Sequence, residues 1–275
     1  MYSVLNDNNV MVELNDSDIQ KNIKEGLLKR ETIMAMGISH KEEYLQYLYP
    51  YLDSESFFIR RDAAQSIFLI NGKKGLPKLK EREKKLKEED YNNIPSEKAL
   101  LGALIIQIEG GTKGTEEYFF SAQGNINVKY VQAAFYTSGY LYKEEDIRLI
   151  VKILEAYLNK DLLWIKNMSK EDYLEAILFL FQSIWYAYKE TDCLRGLAPA
   201  LSERLCVVCE QISNLKMDSF AKEMIADIAS GVQKESAVKI LKILSGKVKG
   251  DAKKAFKRSL KYWNIEESDL NEYGA

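Results

Sequence analysis

Residues 44–72 read YLQYLYPYLDSESFFIRRDAAQSIFLING. Leu45, Leu48 and Leu52 recur at three- and four-residue steps, which places them on one face of a helix. Pro50 lies inside that run and removes an amide donor, so the spacing predicts a bent first helix. Asp53 and a short polar turn follow. A second helix then carries Ile59, Arg60, Ala63, Ala64 and Ile67, and Asn71-Gly72 marks its stop. Two helices joined by so short a turn pack as an antiparallel hairpin.

The same rhythm continues outward. Apolar stripes of helical period run through Ile147, Ile150, Leu154, Tyr157 and Leu158, then through Leu174, Ile177, Leu178, Phe181, Ile184, Trp185 and Tyr188. Further stripes follow at Leu197, Leu201, Leu205, Val208 and Ile212; at Met217, Phe220, Ala221, Met224, Ile225 and Ile228; at Ala237, Ile240, Leu241 and Leu244; and at Val248, Ala252, Phe256, Leu260 and Trp263. No comparable run alternates with period two, so the pattern predicts an all-α chain without a sheet. Ser39 with Glu42, and Ser169 with Asp172, have capping-box spacing, and Pro95-Ser96 marks another start. Gly110-Gly111, Gly114, Gly124-Asn125 and Ser245-Gly246 read as stops, and the weakly patterned stretch 110–127 reads as a loop. The mixed-charge run 78–90, KLKEREKKLKEED, reads as a solvated helix face with pairs such as Glu81 and Lys85.

The segment 44–72 resembles the HEAT-repeat pattern, in which a proline bends the first helix, an aspartate follows it and a small-residue second helix opens with a Val-Arg pair. In that family the alanines admit close helix approach, and Asp and Arg of adjacent repeats interact, which implies a structural role for Asp53 and Arg60. A weaker copy lies 31 residues upstream at Leu28, Lys29, Thr32, Ile33, Met36 and Gly37, and Val128, Lys129, Ala133 and Ala134 carry a faint echo. A period of that size suits helix-pair solenoids. The resemblance implies a right-handed α-α superhelix, HEAT-like or armadillo-like, spanning 1–275 as a single domain, with 110–127 as the place for any subdivision. The fold hosts scaffolds, transport receptors, inhibitors and a group of DNA-repair glycosylases, so it fixes architecture better than activity.

A solenoid offers partners its inner curve. The candidate contacts are Arg61, Gln65 and Phe68 on the earlier repeat and Phe179, Gln182 and Tyr186 on a later helix, which lie off their helices' main stripes. Chemistry-bearing residues are sparse. His40 is the single histidine and is expected in the first turn of a capped helix, with no nucleophile pointed at it. Cys206 and Cys209, in CVVC, fall beside a helix stripe and with Cys193 still leave a four-ligand zinc site one short, so they read as buried small hydrophobes. The glycine-rich run 110–115 lacks phosphate-loop spacing. No catalytic residue, metal site or cofactor is indicated.

The net charge of −2 gives the molecule no broad positive field. The end of the chain is the exception: residues 234–261 hold ten Lys or Arg against Glu235 and Asp251, a local balance of +8. Lys249, Lys253, Lys257 and Lys261 share one helical row, with Lys254 and Arg258 beside it, a candidate anion-binding face; the acidic tail with Glu266, Glu267, Asp269 and Glu272 offers an internal partner for it. The N-terminus shows no secretory pattern, and the most apolar stretch, 176–188, is shorter than the ~20 residues a bilayer needs. The expectation is therefore a cytoplasmic, non-enzymatic scaffold or inhibitor, of the immunity type, that grips a protein partner and no membrane. The alternative is a nucleic-acid-binding or glycosylase-type protein using the C-terminal basic helix.

Overall fold

The computed structural model describes every residue except 7–9, 27, 87–96, 122–142, 163–164, 166–167, 191–192, 218 and 272–275, together with the side chains of all but 5, 99, 121, 186–187, 189–190 and 271 of the rest. The chain divides into two compact units, 1–115 and 116–275, and outside one short hairpin the regular structure among the described residues is helical.

That hairpin corrects the expectation of no strand. β1 (Tyr2–Leu5) pairs antiparallel with β2 (Met11–Leu14), Val4 opposite Val12. Strands of four residues are too short for alternation to stand out from the helical background. Val4 is buried, and β1 lies against the helix α2, Arg30–Ser39. α1 (Asp16–Lys24) starts at Asn15, whose side chain accepts from the amides of Ser17 and Asp18 at 2.8 and 3.1 Å, while Asp18 accepts from the Asn15 amide at 2.8 Å. This is a reciprocal cap.

α2 (Arg30–Ser39) leads through a 3-10 turn (Glu42–Tyr44), α3 (Leu45–Leu48) and a second 3-10 stretch (Tyr49–Asp53) into α4 (Phe57–Lys85). Pro50 sits in the 3-10 stretch, and Leu45, Leu48 and Leu52 are all buried. The Ser39 capping box does not form: Ser39 ends α2, and His40 closes it in the left-handed region at φ 55°. Glu42 instead accepts from Asn71 at 2.6 Å and from Lys74.

α2 and the first limb of α4 run side by side and parallel, with α3 between them in sequence. Ser66 Oγ donates to the Ile33 carbonyl at 2.9 Å, Arg30 Nε meets Asp62 at 2.5 Å and His40 Nδ1 lies 2.8 Å from the Leu69 carbonyl oxygen. Gly37 makes the approach feasible, because a Cβ there would stand 2.7 Å from Ser66 Oγ and 2.8 Å from Ser66 Cα.

Asn71 does not end α4; it breaks it, at φ −164° and ψ 90°. The chain doubles back there, so that Arg60 and Arg82, equally far on either side, reach the two oxygens of the same Glu97 carboxylate, each at 2.7 Å. Asn71 Oδ1 accepts from the Lys74 amide at 3.1 Å and starts the second limb, whose Lys78–Glu81 and Glu81–Lys85 pairs lie in 78–86, the described part of the charged face expected for 78–90. The expected loop at 110–127 is also corrected in its described part. α5 (Glu97–Ser121) runs through it with a break at Gly111, φ 59° and ψ −154°. Glycine adopts that conformation without the steric cost a Cβ imposes.

In the second unit, α6 (Glu144–Leu158), α7 (Lys170–Glu190), α8 (Pro199–Asn214), α9 (Ser219–Ala229), α10 (Lys234–Leu244) and α11 (Gly250–Trp263) precede a 3-10 turn, Glu267–Asn271. Ser169 caps α7, accepting from the Asp172 amide at 3.0 Å. The predicted stripes supply the core: Ile147, Ile150, Leu154, Tyr157, Ile177, Phe181, Ile184, Leu205, Val208, Met224, Ile228, Ile240, Leu241 and Phe256 are buried. Contacts join helices to their next and next-but-one neighbours: α6 with α7 and α8, α7 with α9, α8 with α9 and α10, α9 with α10 and α11, and α10 with α11. The α9–α11 contact repeats the chemistry of α2–α4. Ser259 Oγ donates to the Ala226 carbonyl at 2.6 Å, the Ser230 and Ser259 hydroxyls meet at 2.7 Å, and Trp263 Nε1 donates to the Ala229 carbonyl at 2.8 Å. In both places a buried serine reaches the carbonyl 33 residues earlier.

Candidate functional site

Two exposed surfaces collect the residues that composition singles out. The first lies at the start of α4. Phe58 is 49% exposed and meets Phe57 edge to face, ring centroids 5.6 Å apart. The Arg61 guanidinium lies 5.4 Å from the Phe58 ring centroid. Its Nε and Nη2 both donate to Asp62 Oδ1, at 3.0 and 2.9 Å, while the other Asp62 oxygen takes Arg30. Asp62 is 1% exposed, so a buried carboxylate bracketed by two guanidiniums fixes where Arg61 points. A planar cation held over an aromatic face is rigid, and rigidity lowers the entropy lost when a partner docks.

The sequence proposed Arg61, Gln65 and Phe68 for this face, and the structure separates them. Arg61 and Phe68 are half-buried, whereas Gln65 is buried with no hydrogen-bond partner for its Nε2 among the described residues. Gln65 is therefore not a surface contact. Phe58 was missed, although its place one turn before Arg61 on the row 58, 61, 65, 68 was a readable signal. On α7, Phe179 and Gln182 are half-buried and Gln182 is engaged by a neighbour, while the Tyr186 side chain lies outside the described residues.

Asp53 and Arg60, expected as structural residues, each bond to other parts of the first unit. Asp53 takes Arg82 at 3.1 Å and Lys85 at 3.5 Å; Arg60 takes Glu97 and the carbonyls of Ser54 and Glu55 at 2.7 and 2.8 Å. Hydrogen bonding to Glu97 raises the Arg82 pKa above the ordinary arginine value. Both residues tie turns to helices, as a structural role requires.

The second surface is α11. Lys249, Lys253, Lys254, Lys257, Arg258 and Lys261 are all exposed, while Ala252, Ala255, Phe256, Ser259 and Leu260 bury the opposite side. Lys254 pairs with Asp251 at 2.8 Å and Arg258 with the buried Asp227 at 3.1 Å. Asp227 also accepts from Trp185 Nε1 at 3.1 Å, so one carboxylate links α7, α9 and α11. Lys249, Lys253, Lys257 and Lys261 have no carboxylate partner among the described residues, and Glu266 and Glu267 are exposed.

The remaining candidates are placed structurally. His40 is the left-handed closing residue of α2 and not part of a helix's first turn. Cys206 and Cys209 are buried in α8, and burial pushes both thiols above the ordinary range. Run 110–115 lies in α5. The echo at 128–134 falls outside the described residues. No helix among the described residues is long and apolar enough to cross a membrane. No family model matches the chain, and comparison with curated proteins and with solved structures returned no significant similarity.

Proposed function

We propose that the chain is a HEAT-like stack of helix pairs that acts as a non-enzymatic scaffold or inhibitor, gripping a protein partner. The stacking is supported by the next-but-one helix contacts of the second unit and by the serine-to-carbonyl contacts that recur at the same spacing in both units. Partner binding rests on one observation, the exposed Phe58 ring carrying the clamped Arg61 guanidinium. Aromatic residues and arginine dominate protein–protein hot spots, and residues so placed cost ~2 kcal/mol or more of affinity when truncated. Phe68, half-buried on the same helix row, extends the apolar part of the face.

The test is quantitative affinity capture with the full chain and with the double variant Phe58→Ala, Arg61→Ala, followed by titration of the captured protein. The variant should bind at least ~30-fold more weakly at unchanged helix content. Equal affinity of the two chains would remove the α4 face from the account.

A further inference from the structure

A row of like charges along one helix carries a second inference, independent of the protein-binding reading. Lys249, Lys253, Lys257 and Lys261 follow one another at i, i+4 along α11 and its N-cap, each exposed and each without a carboxylate partner among the described residues. Like charges at that spacing repel. Lys249 and Lys253 also sit at the helix's N-terminal end, where the macrodipole disfavours cations. Elsewhere on the surface the lysines are often matched: Lys41 with Asp16, Lys74 with Glu42, Lys152 with Glu116 and Lys239 with Glu203. Even on α11, Lys254 and Arg258 are answered by Asp251 and Asp227. On α11 the uncompensated charge is thus confined to one i, i+4 row, an edge ~18 Å long along the helix axis at ~1.5 Å per residue.

We infer that this edge binds the phosphodiester backbone of a nucleic acid. A strand laid along it presents roughly five phosphates at ~3.4 Å of axial rise each, an evenly charged line against an evenly charged line. The edge suits an acidic protein surface less well, because protein interfaces are depleted in lysine and need an apolar centre. Between Lys249 and Lys261 every apolar side chain of α11 is buried; the first exposed one is Tyr262, with the Arg195 guanidinium 5.5 Å from its ring centroid. Four lysines touching phosphates, with the neighbouring Arg258 guanidinium held by Asp227, give binding without sequence preference.

The full chain is titrated into fluorescein-labelled DNA, a mixed-sequence duplex and a single strand of the same length, and anisotropy is read between 50 and 200 mM salt. With about four phosphates neutralised, the duplex log-affinity should fall against log salt with a slope near −3.6, a loss of roughly 150-fold across that range. Lys253→Gln with Lys257→Gln should halve the slope, and Lys253→Glu with Lys257→Glu should abolish binding, both at unchanged helix content by circular dichroism. Lys21→Gln with Lys24→Gln on α1 should change neither affinity nor slope. Absence of binding at 50 mM salt, or binding indifferent to the α11 substitutions, overturns the inference. So does tight binding of poly-L-glutamate by a chain that ignores both DNAs, which reassigns the edge to an acidic protein.

Discussion

Gly37 offers the sharpest test of how the helices are fitted together. An added Cβ would stand 2.7 Å from Ser66 Oγ and 2.8 Å from Ser66 Cα, so the obstruction includes backbone and cannot be relieved by a rotamer change. Gly37→Ala must push α2 away from α4, straining the buried Ser66–Ile33 hydrogen bond. Overpacking of this kind costs ~1–3 kcal/mol and a weakened buried hydrogen bond ~1 kcal/mol, against ~1 kcal/mol gained because alanine favours a helix more than glycine. The net expectation is a loss of ~1–3 kcal/mol. Gly110→Ala is the matched control: Gly110 lies exposed within α5, and a Cβ there would meet nothing within 4 Å. Only the helix gain of up to ~1 kcal/mol should then appear. Urea unfolding by circular dichroism reads both. A lower midpoint for Gly37→Ala and a higher one for Gly110→Ala is expected. A Gly37→Ala midpoint raised as far as that of Gly110→Ala would refute the close α2–α4 contact.

Three further outcomes follow from buried groups. Asp62→Asn removes a carboxylate held by Arg30 and Arg61 at 1% exposure and should cost ~3 kcal/mol, lowering the thermal midpoint by roughly 6–12 °C in a scan against the parent chain. Burial raises the thiol pKa of Cys206 and Cys209 and the phenol pKa of Tyr157. The folded chain therefore holds protons that the unfolded chain releases above ~8.5 for thiols and ~10 for tyrosine. Stability from these groups is fully present at neutral pH and declines as pH rises through and beyond those values. Correspondingly, Cys206 and Cys209 should resist a disulfide-exchange reagent at pH 8 until urea is added, and prompt reaction of both in the folded chain would contradict their burial.

Much of the helical content was legible because a 3.6-residue period repeats across each stripe, as in Leu197 to Ile212, all of whose stripe residues are buried. The β-hairpin was not, since YSVL and MVEL give too few positions for a period-two signal. Asn71-Gly72 and Gly110-Gly111 read as stops, but the helices break there and continue; whether a chain stops or turns sharply and continues depends on what waits beyond, here Ile67 against Gly75 and Gln107 against Thr115. Residue types announced charged pairs; their partners were set by helix packing, which joined Arg30 to Asp62 and left Asp53 to Arg82. Gln65 shows the same limit, because a polar residue between Arg61 and Phe68 reads as surface until the neighbouring helix is in place. The cation row of α11 was fully readable, its ordering being purely local.

Hydroxyl-radical footprinting of the chain with and without its captured partner tests the functional claim most directly, because Phe58 and Tyr262 start from nearly equal exposure, 49% and 51%. Partner binding should suppress oxidation of Phe58 several-fold and leave Tyr262 unchanged. Oxidation of Phe58 at the same rate in the free and bound chain would contradict the account.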